Sequence, residues 1–62
     1  MIRRFKLVYV QNGYRASALS PDEAVLRELL RGIMKSPEGV NTIWCLYNDK
    51  GVLMDRNTQK YL

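Results

Sequence analysis

The stretch RFKLVYVQ, residues 4 to 11, alternates apolar and polar positions at first and then runs continuously apolar, with the Phe, Val and Tyr content of a strand. Asn12-Gly13 follows, and the chain resumes as YRASALS. Asn-Gly between two strand-like runs predicts a two-residue hairpin, because a type I′ turn needs positive φ at both central positions. In that register Val10 pairs with Arg15, Tyr9 with Ala16 and Leu7 with Ala18. One face then carries Phe5, Leu7, Tyr9, Tyr14, Ala16 and Ala18 and is expected to be core. The other carries Arg4, Lys6, Val8, Val10, Arg15 and Ser17.

SPDEAVLRELLRGIMKSP is the clearest helical pattern. Ser20 is the expected N-cap, Pro21 the first helical residue, and Glu23 the partner that completes a capping box. At about 100° per residue, Leu26, Leu29, Leu30 and Ile33 form one stripe flanked by Val25 and Met34, with Arg27, Glu28, Arg31 and Lys35 opposite. Pro37 ends the helix by residue 36.

After the loop PEGVN, the run TIWCLYNDKGVLMD predicts a second hairpin, with Asn48 to Gly51 as a type I turn followed by a left-handed glycine. That register sets Tyr47 opposite Leu53, Leu46 opposite Met54, Cys45 opposite Asp55 and Trp44 opposite Arg56. Ile43, Cys45, Tyr47 and Leu53 share one face; Trp44, Leu46, Val52 and Met54 share the other. Both faces are apolar.

The expected architecture is α+β, a small ββαββ domain with an antiparallel sheet of two hairpins and one helix across one face. The hairpins span about residues 4–19 and 41–57, the helix about 21–35, and a short C-terminal tail follows, all in a single domain. One helix covers one face. The second face needs other cover, either from a second copy or partner or from the tail or the 36–41 loop, since an open apolar patch of that kind marks an interface. Self-association is the expectation, with Trp44, Leu46, Val52 and Met54, or the reverse face with Tyr47 and Leu53, as contact residues.

Composition narrows the classes. At 62 residues the chain lies in the range where small domains lean on disulfides, metals or partners. A lone cysteine excludes an intrachain disulfide, and one thiol without any histidine does not make a structural zinc site. No run approaches the about 20 apolar residues that span a bilayer, and the unpaired cysteine points to a reducing, cytoplasmic setting.

Ten Lys and Arg against six Asp and Glu leave a net charge of +4. The cations fall into two tracks. Arg27, Arg31 and Lys35 stand four residues apart along one helical ridge, and Arg4, Lys6 and Arg15 share the outer face of the first hairpin. Either is a candidate for contact with a phosphate backbone. The ordinary alternative for the ridge is a solvated face with intrahelical ion pairs from Glu23 to Arg27 and Glu28 to Arg31.

No catalytic set emerges. Cys45 lies opposite Asp55 in the expected register but has no histidine or helix N-terminus to activate it. Asp22, Glu23 and Asp49 are explained by capping and turn formation, and the glycines lack phosphate-loop spacing. The sequence therefore points to a non-enzymatic binding module without cofactor, metal, small-molecule substrate or membrane contact. The expectation is a homodimer that regulates or inhibits a larger protein. The alternative is a nucleic-acid-binding regulator that uses the basic residues.

Overall fold

The computed structural model describes residues 4–37 and 41–62. Most of the expected PEGVN loop therefore lies outside the described residues. Strands β1 (Phe5–Gln11), β2 (Tyr14–Ser20), β3 (Ile43–Tyr47) and β4 (Leu53–Arg56) form one antiparallel sheet in the order β2-β1-β3-β4, and helix α1 (Glu23–Lys35) joins the two hairpins. The order makes β1 and β3 the inner strands, and their pairing holds the hairpins together. It pairs Leu7 with Leu46, Tyr9 with Trp44 and Val8 with Cys45.

The first hairpin has the expected register, Val10 with Arg15, Tyr9 with Ala16 and Leu7 with Ala18. Its turn needs positive φ twice, and Asn12 and Gly13 provide it at +54° and +81°. Helix α1 begins two residues later than the sequence suggests. Asp22, not Ser20, is the N-cap, with its carboxylate accepting from the Ala24 N–H at 3.0 Å. Ser20 instead accepts from the Asp22 N–H at 3.1 Å. Two acceptor residues, separated by Pro21, offered a cap, and the carboxylate at the positive helix end holds it. Glu23 is thereby released from a capping box and pairs with Arg27 at 2.7 Å.

The core lies between α1 and one face of the sheet. Leu7, Leu26, Leu30 and Leu46 form it, and Phe5, Tyr9, Ala18 and Trp44 pack around them. Trp44 and Leu46 are thus the residues of the second hairpin that meet the helix layer.

Asn48 organises the second turn. Its Oδ1 accepts from the Lys50 and Val52 N–H groups at 2.8 and 2.9 Å, and Gly51 follows at φ +80°. Tyr47 faces Leu53 as expected, but the ladder then slips. A bulge leaves Met54 unpaired, so Leu46 faces Asp55 and Cys45 faces Arg56. The expected pairs Leu46 with Met54, Cys45 with Asp55 and Trp44 with Arg56 are therefore wrong by one position. An extra residue on one strand turns every side chain beyond it to the other face.

The tail supplies the cover that the far face of the sheet needs. Asn57 anchors it, since its Oδ1 accepts from the Trp44 N–H at 2.8 Å and its Nδ2 donates to the Thr42 carbonyl at 2.9 Å. Beyond it, the Cys45 thiol donates to the Lys60 carbonyl at 3.4 Å and the Tyr47 hydroxyl to the Leu62 carbonyl at 2.8 Å. Arg56 stands over the Tyr61 ring, 5.1 Å from its centroid. Val8 and Cys45, both on this face, are 1% and 0% exposed. The tail thus covers the part of the far face around Cys45 and Tyr47.

Candidate functional site

The six contact residues expected from sequence are dispersed. Leu46 is sealed in the core and Trp44 packs at its margin, whereas Tyr47 and Leu53 are half-buried on the far face. Val52 and Met54 are exposed. They do not form one patch.

A different apolar surface runs along the side of the molecule at β2. Residue pairs in an antiparallel hairpin alternate between hydrogen-bonded and non-hydrogen-bonded, and a two-residue turn makes Gln11 and Tyr14 the first bonded pair. The backbone groups of Tyr14, Ala16, Ala18 and Ser20 therefore point to β1, and those of Arg15, Ser17 and Leu19 point outward. β2 is an edge strand with no described strand beyond it. Above it, Val25 and Leu29 are 55% and 41% exposed. They occupy the flank of α1 opposite Arg27, which reaches β4. The sequence pattern placed Leu29 in the buried stripe and Val25 on its flank. The helix is instead shifted so that only Leu26 and Leu30 are fully buried.

The two basic tracks are electrostatically unlike. On the helical ridge, Arg27 binds Glu23 at 2.7 Å and Asp55 at 3.6 Å, and its pKa is raised first by the Glu23 hydrogen bond. Arg31 binds Glu28 at 3.1 Å. Lys35 closes the last turn, where its charge meets the negative helix end. On the far face of the sheet, Arg4 and Lys6 line a depression of about 420 Å³ with Tyr47, Asn48 and Asp49. Lys6 also lines a second depression, of about 250 Å³, with Val8, Arg15 and Ser17. Tyr47 holds its phenolic proton more tightly than usual, chiefly because of burial and then because of Cys45 beside it.

Cys45 is buried and its thiol is engaged by a backbone carbonyl. Among the described residues no group of three or more His, Cys, Asp or Glu is placed to hold a metal ion. No described helix is long and apolar enough to cross a membrane.

These elements define a small ββαββ α+β domain with an open sheet edge. No protein family, characterised protein or solved structure matches the chain at a significant level.

Proposed function

We propose that the chain is a non-enzymatic protein-binding module that pairs with a second copy of itself along the outer edge of β2. In that form it regulates or inhibits a larger partner protein. The observation that carries the reading is the symmetry of the edge. The outward backbone groups belong to Arg15, Ser17 and Leu19, centred on Ser17. An antiparallel copy with Ser17 opposite Ser17 sets Arg15 opposite the second copy's Leu19, and each of the three opposed pairs exchanges two hydrogen bonds.

The register opposes no like charges. The two Arg15 side chains start about 14 Å apart along the ribbon, at about 3.4 Å per residue, which exceeds the Debye length of about 8 Å at physiological salt. On the helix side Ala16 faces the second copy's Ala18, and these small residues leave room for Val25 and Leu29 of both copies to meet. A long, regular edge with exposed apolar flanks is a liability unless something pairs with it. The inaccessibility of Cys45 supports a non-enzymatic role.

Sedimentation velocity across a wide concentration range tests the reading on the wild type and on Ser17→Lys. Ser17 is exposed, so the lysine leaves the monomer intact, but it opposes two ammonium groups at the dimer centre. A wild type that dimerises and a Ser17→Lys chain that stays monomeric are expected. A wild type that is monomeric throughout, or a variant that dimerises equally well, overturns the proposal.

A further inference from the structure

The charges of this small chain are sorted between its two sides. Of the described acidic residues, Asp22, Glu23 and Glu28 belong to the cap and helix, and Asp55 faces the helix beside Arg27. Asp49, in the second turn, is the one that borders the far face of the sheet. On the helical side Arg27 is paired twice and Arg31 once, and Lys35 stands in the last turn at the negative helix end. The far face carries Lys6, Arg15 and Arg56 by register, with Arg4 at the mouth of the same depression as Lys6. Lys6 borders both depressions, so Arg4, Lys6 and Arg15 form a track of cations along two neighbouring depressions.

We propose that this far-face track, Arg4, Lys6 and Arg15, binds the phosphate backbone of a single-stranded polynucleotide. Charge complementarity selects an anionic polymer, since a cationic concavity with one acid at its rim concentrates phosphate. Aromatic surface favours a single strand over a bilayer. Tyr47 lines the larger depression beside Lys6 and offers aromatic surface to an unstacked base, whereas Tyr61, with the Arg56 guanidinium over its ring, lines neither depression. Of the exposed apolar side chains, Val25 and Leu29 lie on the opposite side of the sheet, and Leu19 alone of these three borders the larger depression. Arg15 also belongs to the β2 edge, so the oligomeric state of each variant is measured beside its binding, and a loss of affinity at unchanged oligomeric state belongs to the track. In a dimer built by sheet extension both tracks would face the same way.

The test is fluorescence anisotropy with a labelled oligothymidylate, using the full chain and two variants of equal net charge. Lys6→Glu with Arg15→Glu reverses the far face; Arg31→Glu with Lys35→Glu reverses the helical ridge. For contact with three to four phosphates, single-strand affinity should fall about 20- to 50-fold between about 50 and about 200 mM salt. The far-face pair should lose at least about tenfold in affinity at low salt, and the ridge pair much less. Circular dichroism establishes that each variant is folded, and Lys6→Gln with Arg15→Gln replaces the reversal if it is not. Equal losses for the two pairs would reduce the effect to bulk charge and overturn the site. So would binding that ignores salt, or preference for anionic phosphatidylserine vesicles over the oligonucleotide.

Discussion

Ending the chain at Asn57 removes residues 58–62 and with them the cover of the far face. The anchor on Thr42 and Trp44 stays. What is lost is the shelter of Cys45 and Tyr47 and the acceptors of their thiol and hydroxyl. Full burial of a valine-sized side chain is worth about 1.5–3 kcal/mol, and neighbouring strand residues retain part of it here. The Tyr47 hydrogen bond adds about 0.5–1.5 kcal/mol net, because water replaces the lost acceptor. The sum is about 2–4 kcal/mol, comparable with the about 3–5 kcal/mol that a single core supplies at this size. In equilibrium urea unfolding, followed by far-ultraviolet circular dichroism and Trp44 fluorescence, the midpoint should fall by about 2 M or more, at a slope near 1 kcal/mol per molar. A shortened chain with an unchanged midpoint would refute the assignment of the tail as structural cover.

Two further substitutions probe single interactions. In Tyr47→Phe, the native state no longer holds a phenolic proton more tightly than the unfolded chain does. The raised value makes this contribution complete below about pH 10 and lost as pH rises through the folded value. The wild-type advantage in melting temperature should therefore be constant near neutrality and shrink above about pH 10, and a gap that stays constant into that range would contradict the burial of Tyr47. Gly32 sits within α1 where an added Cβ meets no atom within 4 Å. Gly32→Ala should raise stability by about 0.5–1 kcal/mol in the same urea assay, and a loss would show that the site is more crowded than its geometry indicates.

The architecture was legible because its signals are local. Asn12-Gly13 sets the first register through φ alone, and the helical stripe locates Leu26 and Leu30 without knowledge of the sheet. The second hairpin was legible as far as Tyr47 opposite Leu53. Nothing in LMDR announces that Met54 will be unpaired, because a bulge depends on how the strand twists against its neighbour rather than on residue type. The tail was opaque for a related reason. Apart from Asn57, its closing bonds come from the carbonyls of Lys60 and Leu62, and every residue type has a carbonyl. Two ion pairs of the helical ridge were legible from spacing, Glu23 with Arg27 and Glu28 with Arg31; the contact of Arg27 with Asp55 was not, because Asp55 is distant in sequence and reaches it only through the slipped register.

The burial of Cys45 beneath the tail turns the thiol into a clock. Its sulfur is 0% exposed and is held by a residue of the segment that covers it. A disulfide reagent can therefore react only in the moments when that segment lifts or the whole sheet opens. The dependence of the labelling rate on denaturant separates the two, since local opening exposes little surface and global unfolding exposes much. A thiol with this protection meets oxidants no faster than such openings occur.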